Sequence, residues 1–187
     1  MQPFVERSGL EIKGDNGLGE WYGLARFTHP SPATPTLLSS LFPAYNMDYK
    51  PSIIPSSSGE SVPTLHNRCA YALEYIISHE DATDEESRAI LICTHAASMI
   101  AIGRALTGHM PEDICEDDFK THTCGISKFV RRLPLSDTPK YIKWEKGTEI
   151  PAIEWRDRKG VAGGWDCVIN SNCGHLDGGE ERHWYVS

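Results

Sequence analysis

No stretch of this 187-residue sequence is both long and apolar enough to cross a bilayer. The longest candidate, residues 89–105, is interrupted by Thr94, His95, Ser98 and Arg104. Positive charge is in deficit: 18 lysines and arginines face 26 aspartates and glutamates, a formal net charge of −8. That balance argues against a broad nucleic-acid or membrane-surface footprint, while leaving room for a small cationic pocket around an anionic ligand. Residues 1–17 carry Glu6 and no apolar core, so they do not read as a secretion signal. The six cysteines then read as reduced thiols of an intracellular protein, cytoplasmic or nuclear. Paired Cys-x-x-Cys spacing is missing. Cys167, Cys173, His175 and His183, weighed as a zinc set, are therefore read as scattered thiols and imidazoles, and no metal or other cofactor is expected. P-loop, Rossmann-type glycine and Gly-x-Ser-x-Gly patterns do not occur either.

What is present suits one domain with a real core: 40% hydrophobic and 24% charged residues. Leu10 and Ile12 alternate with polar neighbours as in a short strand, and the glycines at 14, 17, 19 and 23 mark a turn-rich loop. Residues 28–61 are rich in proline and serine. Phe42, Tyr45 and Tyr49 give them something to bury, so an ordered loop is expected there. Ser61 as N-cap and Pro63 in the first turn open a helix whose apolar residues, Val62, Leu65, Cys69, Leu73, Ile76 and Ile77, recur at helical spacing. Residues 80–86 read as a solvated acidic loop. The continuous apolar run 89–94 fits a strand buried on both faces, as in a parallel sheet. A helix follows at once and ends at Gly108. Further strands are expected near residues 124–132 and 165–169. The fold class that results is α/β.

His95 lies where the expected strand gives way to the helix. Ligands of open α/β sheets bind at the carboxyl ends of strands, and a helix N-terminus offers free N–H groups to a phosphate. An imidazole there can donate to a phosphoryl oxygen and offset charge in the transition state; from position alone, capping or packing at the helix start accounts for it equally well. The 14–23 loop offers two carboxylates, Asp15 and Glu20, either able in principle to protonate a leaving alkoxide, although turn carboxylates of this kind are commoner than acids. His29, His66, His79 and His109 are read as surface or packing residues.

Four separated stretches together resemble the histidine phosphatase superfamily, the phosphoglycerate-mutase-like proteins. Residues 94–106, THAASMIAIGRAL, resemble its second histidine motif; residues 17–23, GLGEWYG, its acid-bearing loop; residues 59–68, GESVPTLHNR, its Gly-Glu-Ser…Arg helix start. Residues 173–182, CGHLDGGEER, are similar to fungal members related to the phosphatase-like tau subunit of TFIIIC. The resemblance implies a three-layer α/β fold with a mostly parallel sheet flanked by helices, and a single but partial domain over residues 1–187. It implies His95 as the second catalytic histidine, Asp15 as the acid, and the Ala96 backbone N–H beside the phosphate. It also implies a phosphorylated small molecule or phosphoprotein as ligand, or protein partners in a transcription assembly, without direct contact to nucleic acid. The family's nucleophile stands in an Arg-His-Gly triplet, which occurs nowhere in these 187 residues. The expectation is therefore a chain that is inactive by itself, its sheet left with an open edge.

Overall fold

The computed structural model describes residues 2–24, 26–83, 89–132 and 142–182. Helix α1 spans Gln2–Ser8, α2 Pro35–Leu41, α3 Val62–Thr83 and α4 Ala96–Thr107; strands β1 and β2 are Ile126–Arg131 and Trp165–Asn172. Single 3-10 turns sit at Asn16–Leu18 and Val161–Gly163.

The two long helices form where their signals place them. The Ser61 hydroxyl accepts the Thr64 amide at 3.3 Å, capping α3, with Pro63 in its first turn. Gly108 takes the left-handed conformation that ends α4, its N–H returning to the Arg104 carbonyl at 2.9 Å. α3 runs on through Thr83, so Glu80 and Asp81, expected in a loop, are helical; residues 84–86 lie outside the described residues. Lys13 pairs with Glu80 and Arg131 with Asp81, which ties those acids to the body of the molecule.

The core lies between α3 and α4. Leu65, Cys69, Leu73 and Ile77 meet Ala97, Ala101, Ala105 and Leu106, with Trp155 fully buried. Three alanines at four-residue spacing give α4 a smooth face, which lets the helices approach closely. Each large apolar side chain withdrawn from water here contributes roughly 1.5–3 kcal/mol. Burial pushes the Cys69 thiol up to about 12, so it packs as a small apolar group. Arg104, at the end of α4, is also buried; it pairs with Asp118 and donates to the carbonyls of Ile114 and Glu116, which fastens the acidic stretch onto the helix.

The described residues do not form the expected mostly parallel three-layer sheet. Their sheet is two-stranded and antiparallel, β1 against β2, with register shifts between Ile126 and Phe129. Ile12 and Tyr45 form one isolated parallel bridge in place of a strand around Leu10. Residues 89–94 form no strand, with no partner strand among the described residues, and Ile90 and Leu91 are 42% and 55% exposed. A strand becomes buried on both faces only when neighbours flank it, and its own apolar sequence cannot supply them. The proline-rich 28–61 region contains α2, capped by Thr34 and without a buried residue; it meets the core through Ile53, with Ser52 also buried and Tyr45 and Tyr49 half-buried, while Phe42, expected to be covered, is exposed. Among the described residues no helix is long and apolar enough to cross a membrane.

Candidate functional site

The candidate site forms where the 15–20 loop meets the start of α4. His95 is the N-cap residue, in extended backbone conformation (φ −101°, ψ 164°), with no side-chain capping bond of its own. Its carbonyl accepts the first bond of the helix, from Met99 at 2.8 Å. Ala96, Ala97 and Ser98 follow as the first helical residues, whose N–H groups have no acceptor within the helix. Ala96 is half-buried at the mouth of that turn and Ala97 is buried.

The His95 Nδ1 lies 2.9 Å from the Glu20 Oε2. The other Glu20 oxygen accepts the Trp21 amide at 2.9 Å, so the carboxylate is oriented from both sides. The imidazole is exposed and Glu20 is partly so, which puts the pair within reach of a ligand. With Nδ1 against the carboxylate, Nε2 is the ring nitrogen left to face solvent.

Asp15 occupies a different environment. Its Oδ1 accepts the Gly17 amide at 2.7 Å and the Ser52 hydroxyl at 2.8 Å; its Oδ2 accepts the Tyr49 hydroxyl at 2.7 Å and the Ser52 amide at 2.8 Å. Four donors converge on one carboxylate, which caps the 3-10 turn and joins it to the 45–53 region. Burial and the Asp15 charge both raise the Tyr49 phenol, so it stays protonated as a donor. Of the two carboxylates noted in this loop, the fold brings Glu20 to His95 and turns Asp15 toward Tyr49 and Ser52.

The loop between them is gripped through its carbonyls. Arg68 Nη1 donates to Gly17 O at 2.8 Å, the Thr94 hydroxyl to Leu18 O, and the Ser98 hydroxyl to Gly19 O. Gly17 lies so close to α3 that an added Cβ would sit 2.5 Å from Ser52 Oγ and 2.7 Å from Ala72 Cβ. Glycine is therefore required there for space. Arg68, completely buried, is held by Glu60 through both oxygens, at 2.6 to 3.0 Å. Burial opposes its charge, but the neighbouring Cys69, Glu60 and Glu20 together outweigh this and hold the guanidinium above its usual pKa. Sequence reading took Arg68 only as part of a helix start. The available signal was an arginine two turns into a helix whose N-terminal flank carries an acid, Glu60.

Among the described residues no group of three or more histidines, cysteines or acids could hold a metal ion. Cys167 and Cys173 are free thiols, and His183 lies outside the described residues.

The chain is 27% identical over 190 residues to the transcription factor tau 55 kDa subunit of Saccharomyces cerevisiae, covering 98% of this chain and 42% of the relative. It thus spans less than half the length of the relative it matches. The family model of the histidine phosphatase superfamily (branch 1) matches residues 1–133, which include α1, the 15–20 loop, α3, α4 and β1. On that match the chain belongs to the histidine phosphatase superfamily.

Proposed function

We propose that this is a phosphoryl-recognition domain whose ligand sits at the N-terminus of α4, with His95 donating to a phosphoryl oxygen and the Ala96 N–H beside it. The 2.9 Å pairing of His95 with Glu20 carries the reading, because it sets an imidazole and a carboxylic acid together where a helix end favours an anion. Glu20 is the acid of the site in this proposal, able to protonate a leaving alkoxide. Asp15, saturated by its four donors, anchors the loop that presents Glu20. The ligand class is a phosphomonoester or phosphoprotein, and the setting is intracellular, cytoplasmic or nuclear.

These 187 residues do not complete the covalent step of the family. They contain no Arg-His-Gly, so neither the nucleophilic histidine nor its adjoining arginine is supplied. The 89–94 run, which has no partner strand among the described residues and leads straight to His95, is where neighbouring strands would dock in this reading, which supports taking residues 1–187 as one partial domain. The expected outcome is no hydrolysis of para-nitrophenyl phosphate above background. Turnover that disappears on His95→Ala would overturn this.

The similarity to a transcription factor subunit favours a second reading, a non-catalytic interaction module with protein partners in a transcription assembly. Affinity purification of the endogenous protein tests it, and recovery without any subunit of transcription factor tau would count against it.

A further inference from the structure

A buried ion pair is expensive to build, and well-packed apolar residues often match its stability. The Arg68–Glu60 pair is therefore better explained by the geometry it imposes than by stability. Arg68 reaches out of α3 with its guanidinium buried. One edge is fixed by Glu60, and the other donates to Gly17 O at 2.8 Å and Gly19 O at 3.3 Å. Glu60 is itself tied to the loop, since its carbonyl accepts the Trp21 indole N–H at 2.9 Å. Thr94 and Ser98, one residue before and three after His95, donate to Leu18 O and Gly19 O. Glu20 is thus flanked on its own backbone by Gly19 and Trp21, both tied to the Arg68–Glu60 pair, and its partner His95 is flanked by two residues gripping the same loop.

We infer that Arg68 is a positioning residue: its buried fork, with the Thr94 and Ser98 hydroxyls, sets the separation of Glu20 from His95. This rests on the reading of that pair as the site. A fork with fixed donor directions can hold two carbonyls and a carboxylate together, whereas lysine supplies only a point charge. Arg68→Lys therefore keeps the charge opposite Glu60 and releases the loop.

The test is the ring-nitrogen NMR spectrum of His95, with thermal unfolding measured on the same samples of the 187-residue chain. Glu20→Gln, Arg68→Lys and Ser98→Ala are each expected to lose the hydrogen-bonded Nδ1 signal, while the ring signals of exposed His175 stay in place. Ser98→Ala is expected to lower the melting temperature by only about 2–4 °C, so it decides the matter if Arg68→Lys does not fold. Folded Arg68→Lys and Ser98→Ala proteins that keep the wild-type His95 signal, while Glu20→Gln loses it, would overturn the positioning role and leave the site standing. A wild-type signal in Glu20→Gln would remove the pair itself, and the inference with it.

Discussion

Residues 15–20 and residues 89–94 both lead to the site around His95, and the fold treats them in opposite ways. The first segment is polar and rich in glycine, with little intrinsic preference for any conformation. Its carbonyls at residues 17–19 are nevertheless engaged by Arg68 of α3, by Thr94 at the end of the second segment and by Ser98 of α4, and both Asp15 oxygens accept from the 45–53 region. The second segment is apolar, with the composition of a buried strand, yet Ile90, Leu91 and Cys93 are exposed and no strand pairs with it among the described residues. Burial follows the partners that a segment finds more closely than its own hydrophobicity. Hydrogen bonds from several parts of the chain order the glycine-rich loop, while Ile90 and Leu91, with no partner strand among the described residues, remain at the surface and only Ile92 and Thr94 of that run turn inward.

The comparison can be broken most forcefully at Asp15. Asp15→Ala leaves the Gly17 and Ser52 amides without their acceptor and is expected to cost about 2–3 kcal/mol in urea unfolding. A loss below about 0.5 kcal/mol would mean that the loop is not held as described.

A smaller, pH-dependent effect is expected at Glu74. It lies in α3 and accepts the Ala162 amide at 2.8 Å; burial raises its pKa above the usual 4.5. The folded state therefore binds this proton more tightly than the unfolded chain does. Its contribution to stability is fully present below the unfolded value and declines as pH rises through the folded one. Glu74→Gln keeps an acceptor oxygen and removes the titration. The stability of the variant relative to wild type should then rise with pH across that window, measured by denaturant melts in a pH series. A difference that does not change with pH would place Glu74 outside the core.

The smallest effect is expected at Leu91. Leu91→Ser in the exposed run should shift stability by no more than about 0.5 kcal/mol. A cost of several times that would show that the run is packed in solution, and the contrast between the segments would then disappear.

The parts legible in the sequence were those encoded over short spans. α4, with His95 at its start and Gly108 at its end, follows from caps and an unbroken apolar pattern, and α3 from Ser61, Pro63 and its heptad-like spacing. Strands β1 and β2 fall within a few residues of their expected places. What could not be read depends on residues far apart in the chain. Glu20 and Asp15 look alike as loop carboxylates. Only Tyr49 and Ser52 on one side, and His95 on the other, separate their environments. The same holds for Arg68, whose carbonyl partners lie 49 and 51 residues away. The parallel sheet, not found among the described residues, could not be read for the same reason, since a ladder is a property of two segments at least.

Gly17, pressed against Ala72 and Ser52, has a consequence for how such a domain can diversify. A single added carbon at this joint would lever the loop off α3 and carry Glu20 with it. Sequence drift is thereby partitioned. Residues 15–20 can change little without loosening that joint, whereas Tyr22 and Phe27 just beyond are tied only through ring contacts with the buried His29, and exposed Leu24 is freer still.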